Sequence, residues 1–366
     1  MQLQKNTPQP QQQLLAVAET YLRQSVAPQA AKIDRQPEVL AEALQGLGSR
    51  SLLALRVPQT WQGGGNFSKS NFYRFQMLVA RYSGALAFLQ TQHQSAAFFL
   101  VASSNESLQQ EYLPRMGTGE VLLGVGFSQL RRRGEAAVKA VEVEGGYVIN
   151  GEVPWITGFG LFNDFVVGAM LGDRREVYGV VPFENVVSHD RGKISFSQPM
   201  QLNAMVATNT VSATLANWFL PRDRVIVVKP ANSIHANGSK NVLNHSFFPL
   251  GCAQAGLDVL NRTFQQKKLD FLQQTSQALE LEFSEYRRRI FAALESESLC
   301  FQEKLQLRAA VINLALRCSH AAVVASSGGA NLQASTAGRI YREALLFSVS
   351  GQTTAVMEAT LAQLHK

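Results

Sequence analysis

Apolar and polar positions follow three regimes along this chain of 366 residues. Up to about residue 115 the apolar side chains recur at helical spacing: Leu14, Ala18 and Leu22, then Leu40, Leu44 and Leu47. Residues three or four apart share one helix face, so this region reads as helical. Val57-Pro58 and the run Gly63-Gly64-Gly65 break the pattern and predict a loop. From Val121 to Val228 the period shortens. Phe165-Val166-Val167, Val177-Tyr178-Gly179-Val180-Val181 and Ile194-Ser195-Phe196 are β-branched or aromatic, and Gly, Asp and Pro turns separate them. They predict a small barrel or sandwich of short strands. After Asn237-Gly238 the helical period returns. Leu305 to Val324 is apolar on nearly all sides, as a helix buried in a bundle would be, and Gly328-Gly329 ends it. The fold class is mainly α with a central β domain. Its expected boundaries are an N-terminal helical domain at 1–118, a middle β domain at 119–229 and a C-terminal helical bundle at 230–366.

One strand carries candidate chemistry. Tyr147-Val148-Ile149-Asn150-Gly151 reads as a hairpin signal, because Asn-Gly tolerates the positive φ of a tight turn. Trp155 and Thr157 follow two residues apart, which period-two geometry places on one face. An indole beside a hydroxyl is a wall for a planar heteroaromatic ligand, or a core Trp beside a strand Thr.

Composition narrows the function classes. An apolar fraction of 46% and a charged fraction of 17% belong to a globular chain with a sizeable core. No uncharged apolar run approaches the ~18 residues of a membrane span, no signal peptide opens the chain, and Met1 to Gln13 reads as a polar, frayed tail. Cys252, Cys300 and Cys318 are far apart, without metal spacing or a disulfide framework, so no metal and a reducing cytoplasm are expected. The net charge of +7 includes two compact basic runs, Arg131-Arg132-Arg133 and Arg287-Arg288-Arg289. Neither interleaves with aromatics, which argues against a nucleic-acid surface; the first leaves a phosphate-bearing ligand open. The triple glycine lacks the Lys-Ser/Thr of a P-loop.

Several segments resemble the acyl-CoA dehydrogenase family in the right order. Val57-Pro58 with the glycine run resembles its Val-Pro-Glu-x-x-Gly-Gly loop, and Glu111-Tyr112-Leu113-Pro114-Arg115 its link into the β domain. Gly151 to Gly158 resembles its Trp-Ile-Thr strand. Trp218 to Val225 resembles the strand closing that domain, and Arg339 to Ala344 the late Arg-Asp-Ala segment. The resemblance implies the three-part architecture with a C-terminal four-helix bundle, a homodimer or homotetramer, FAD as cofactor, and oxidation of a small-molecule substrate such as a CoA thioester. It implies Trp155 flanking the flavin ring, Thr157 donating toward its N5 edge, and Phe127 and Ser128 meeting its pyrimidine side. Lys267 stands where the family has a diphosphate-binding Arg, and Ala325 where it has Gln ahead of Gly328-Gly329. Thr353 closes Ser350-Gly351-Gln352-Thr353, the counterpart of a Tyr-Glu-Gly-Thr segment.

The same comparison exposes departures. The family's catalytic Glu falls on Gly351 or, in its other known position, on Asn241, and no acid lies in 344–357 or 230–257. The thioester-binding segment is replaced by Arg131 to Glu135, and a CoA-side Asp and Arg fall on Ser239 and Val242. No catalytic residue is assigned; His93 and His245 are the candidate replacements. A flavin monooxygenase of the same fold, and a degenerate homologue without enzymatic activity, stand as alternatives.

Overall fold

The computed structural model describes residues 10–61, 67–132, 134–296 and 299–364. The triple glycine at 63–65, Arg133 and residues 1–9 lie outside them. Residues 10–13, expected in the tail, form the first turn of a helix. The N-terminal region comprises α1 (Pro10–Tyr21), α2 (Ala30–Ile33), α3 (Pro37–Gly48), α4 (Lys69–Tyr82), α5 (Gly84–Val101) and α6 (Glu106–Met116). Its starts follow from side chains that accept orphan amides: Ser68 caps α4, Ser83 caps α5 and Asn105 caps α6. Pro37 opens α3 with its fixed φ.

Nine strands follow: β1 (Leu123–Gly126), β2 (Val138–Val143), β3 (Gly146–Ile156), β4 (Asp164–Leu171), β5 (Glu176–Pro182), β6 (Val186–Ser188), β7 (Gly192–Phe196), β8 (Val211–Pro221) and β9 (Val225–Lys229). They run in the order β6-β7-β8-β3-β2-β4-β5-β9, with β1 beside β4. Phe165 on β4 and Phe196 on β7 have ring centroids 6.0 Å apart. In a flat sheet four strand steps would separate them by roughly 19 Å, at about 4.8 Å each. The sheet therefore curls on itself and closes an aromatic core, as the barrel-or-sandwich expectation requires.

Asn150-Gly151 is not a turn. The β2–β3 hairpin reverses at Glu144-Gly145, and β3 runs straight through Asn150-Gly151 as an 11-residue strand. The Asn-Gly pair sits at a register shift against β8, a bulge. Gly151 has φ +134°, and a Cβ there would lie 2.1 Å from the Ala137 carbonyl oxygen. A second shift between Val153 and Ile156 interrupts the alternation. Trp155 is 49% exposed and Thr157 only 5%.

The C-terminal region holds α7 (Ser233–Lys240), α8 (Phe247–Lys267), α9 (Asp270–Ser296), α10 (Phe301–Ser326), α11 (Thr336–Val349) and α12 (Thr354–Leu361). Helices α8 to α11 form the bundle, and Phe247, Leu257, Phe283 and Val311 fill it. Among the described residues, Phe301–Asn331 is long and apolar enough to cross a membrane, and half of its apolar window is buried inside the chain. A larger core joins all three regions through residues such as Leu47, Phe165 and Phe347.

Candidate functional site

The three regions meet at a cleft of about 1270 Å³, ample for a cofactor-sized ligand. Its walls come from α4 and α5, from the turn after β1, and from the segments around 237–245 and 351–357. The turn after β1 is a 3₁₀ helix, Ser128–Arg131, which brings Phe127, Gln129, Leu130 and Arg131 to the cleft. Gln129 anchors it by donating to the Gly168 carbonyl at 2.8 Å.

Of the residues expected at a flavin, Phe127 and Thr353 line this cleft. Thr353 also caps α12, accepting from the Val356 amide at 3.3 Å. Ser128, Trp155, Thr157, Lys267, Gly328 and Gly329 lie outside the lining. The Thr157 hydroxyl is 3.1 Å from that of Thr210, which is 3.2 Å from that of Thr208. Thr208 donates to the Met205 carbonyl at 2.7 Å. A hydroxyl has one hydrogen, so Thr210 donates to Thr208 and Thr157 donates to Thr210. In this arrangement the Thr157 hydrogen is committed to Thr210, and only its lone pairs stay free. Lys267 and Ala325, the two altered positions, meet each other: the Lys267 Nζ donates to the Ala325 carbonyl at 2.8 Å. Gly328 and Gly329 have open space where side chains would stand.

The two histidines part company. His93 is fully buried, its Nδ1 accepting from the Leu123 amide at 3.1 Å and its Nε2 donating to the Met116 carbonyl at 3.0 Å. Burial holds its pKa down to about 4, so it is a neutral clamp between α5 and β1. His245 lines the cleft, with Nδ1 3.4 Å from the Ser350 hydroxyl. Its ring occupies the space a side chain at 351 would need: a Cβ on Gly351 would lie 2.6 Å from the His245 Nε2. Gly351 also has φ +62°. Burial, then the charges of Arg308 and Arg131, hold His245 well below the usual imidazole range, so it is neutral at physiological pH.

Two cleft residues have no precursor in the sequence reading. Arg308, in the first third of α10, donates to the carbonyls of Val242 (3.1 Å), Ser350 (2.7 Å) and Gly351 (3.1 Å). Burial and then Arg131 push its pKa down to about 10, and it stays cationic. Glu176, at the start of β5, accepts from the Tyr178 hydroxyl at 2.8 Å and from the Ile234 amide at 3.2 Å, capping α7. A cation inside a largely apolar helical run was the available signal for Arg308, and Arg317 in the same run shared it.

A model of the acyl-CoA dehydrogenase N-terminal domain matches residues 8–120. The mitochondrial isovaleryl-CoA dehydrogenase of Solanum tuberosum is 24% identical over 68% of this chain, and the match spans 61% of that relative's length. The 3-(aryl)acrylate reductase of Clostridium sporogenes is 22% identical over 69% of this chain and 68% of its own length. The structure of butyryl-CoA dehydrogenase from Megasphaera elsdenii superposes with a TM-score of 0.77 and 15% identity, covering 100% of both chains. Sequence and fold together relate this chain to the acyl-CoA dehydrogenase family.

Proposed function

We propose that this protein is a flavin-dependent oxidoreductase acting on a carbon–carbon bond of an acyl-CoA or a related acid. The observation that carries this reading is the cleft where three regions of an acyl-CoA dehydrogenase fold meet. The half-exposed Trp155 indole offers a free wall for a ring, and the open Gly328-Gly329 surface admits a diphosphate, so the residues fit FAD. Trp155, Phe127, Ser128, Thr157 and Thr353 would hold the ring side, and Lys267, Gly328 and Gly329 the diphosphate side. A bound flavin supplies the hydride acceptor. Lys267 keeps a charge without the bidentate fork of arginine and is already engaged by Ala325, which supports weak retention of the cofactor. Side chains such as Val324, Leu332 and Val349 leave apolar surface exposed on the bundle, which supports a homodimer or homotetramer.

The proton-handling side departs from the family. Gly351 and Asn241 offer no carboxylate, and Glu176 is engaged by Tyr178 and Ile234. His245 is the neutral group beside Gly351, and its burial beside two cations makes it a weak proton acceptor. The Clostridium relative is named as a reductase of 3-(aryl)acrylate, which supports adding free acids to the panel. The monooxygenase and non-enzymatic alternatives gain nothing from these comparisons.

The test is the visible spectrum of the purified protein, followed by anaerobic bleaching with acyl-CoAs and free acids. A flavin band that dialysis at high salt removes, and slow or absent bleaching by simple acyl-CoAs, are expected. Protein that binds no flavin on reconstitution would end the proposal. Rapid bleaching by simple acyl-CoAs would show a competent base outside the two family positions.

A further inference from the structure

The charges lining the cleft do not balance. Arg56, Lys69, Arg131, Arg132, Arg174 and Arg308 face it, against Glu176 as the one carboxylate among the described residues. Glu176 is turned to the Tyr178 hydroxyl and the Ile234 amide. Arg308 is 3% exposed, meets only carbonyl oxygens, and its buried Nε has no partner. Arg131 is partly buried and makes no hydrogen bond or ion pair among the described residues. Its charge reaches both Arg308 and His245. Arg308, Gly351 and His245 are contiguous, so this charge sits at the end of the cleft where the family carries its base. Withdrawing a cation from water without a counter-charge is unfavourable, and an anion that enters relieves it. A guanidinium fork matches the two oxygens of an oxyanion.

We infer that this end of the cleft binds an oxyanion, a carboxylate or phosphate of the reacting ligand, with Arg131 as its direct partner and Arg308 as the fixed charge behind. The neutral acyl chain of a simple thioester does not suit such a pocket. This rests on reading the cleft as the substrate site, and it names the substrate class: molecules with an acidic group at the reacting end.

The purified protein would be titrated calorimetrically at constant ionic strength with hexanoate, hexanamide and inorganic phosphate. Wild type, Arg131→Gln, Arg131→Lys and, as a distant control, Lys193→Gln would be compared. At least one oxyanion should bind wild type and the control, while the amide should not. Arg131→Gln should weaken binding about tenfold, equivalent to ~1.4 kcal/mol, and Arg131→Lys should recover part of it. Binding of hexanoate alone identifies an organic acid, and binding of phosphate alone a phosphate ester. Equal binding of amide and acid, no binding of either oxyanion, or an Arg131→Gln variant that binds like wild type would overturn the inference. None of these readouts uses flavin. Oxyanion binding without a flavin band would therefore sink the proposed activity and keep this site, whereas turnover of neutral ligands alone would do the reverse.

Discussion

Arg339 and Arg308 are buried to the same degree, 4% and 3% exposed, yet only the first faces a carboxylate. Arg339 donates to Glu343, itself fully buried, and the next cation on α11, Arg342, reaches Asp34 at 3.3 Å. Arg308 meets carbonyls and a second cation. The first cluster pairs its charges within the chain, although the Arg339 Nε and one Glu343 oxygen have no hydrogen-bond partner; it ties α11 to α2 and to the start of α5, where Glu343 accepts from the Gly84 amide at 3.0 Å. The second is completed only by something from outside. Groups of the first kind belong to folding and those of the second to ligand binding, so mutations should separate them by readout.

The largest effect should come from Glu343→Ala. It strands the buried Arg339 charge, and removing one partner of a buried pair costs about 3–5 kcal/mol. The denaturant midpoint measures it. A loss below about 1 kcal/mol would place Arg339 in the same class as Arg308 and dissolve the contrast.

His93, also complete within the chain, should appear in the pH profile. Its folded pKa of about 4 lies below the ordinary 6.5, so the unfolded chain takes up the proton first on acidification. The stability it contributes is fully present above pH ~6.5 and falls by about 3 kcal/mol as pH drops toward ~4. Thermal midpoints across that window should show the slope in wild type and a shallower one in His93→Gln. Identical slopes would remove His93 from the clamp.

Gly351 tests the unfinished side. An L side chain there meets a positive φ and the His245 ring, so Gly351→Ala should cost about 1–3 kcal/mol. Gly351→Glu alone should gain no acyl-CoA oxidation, because His245 fills the space. Combining it with His245→Gly should restore room and some bleaching of the flavin band by acyl-CoA. Activity from the single variant would mean that the imidazole yields its place.

Trp155→Ala should have the smallest effect on the folded apo chain, below about 1 kcal/mol, because half the indole is already solvated. Its effect should fall on flavin retention, read from the absorbance that remains after gel filtration. Equal retention by wild type and variant would remove Trp155 from the cofactor wall.

The three periodic regimes were legible in the sequence because helix and strand periods differ strongly, and Val177 to Val181 and Ile194 to Phe196 lie within the strands they predict. Asn150-Gly151 misled because positive φ serves a bulge as readily as a turn, and local sequence does not say which. The cleft was harder to read. Phe127, Arg308 and Gly351 come from distant parts of the chain, and only packing brings them together. The absence of an acid at 351 was legible, and His245 was a candidate replacement; that its ring stands against Gly351 is a product of packing.

The threonine row just past the end of β3 has a polarity. Its three hydroxyl hydrogens all point one way, from Thr157 through Thr210 to Thr208 and the Met205 carbonyl. A ligand that asks Thr157 for its hydrogen cannot be answered by that residue alone, because Thr210 would be left without its donor. Either the row parts at one link, or all three hydroxyls swing together and Met205 loses its bond. The strand end thus responds to a ligand as a coupled row of dipoles with a preferred sense, and a ligand that offers Thr157 a hydrogen meets it already aligned.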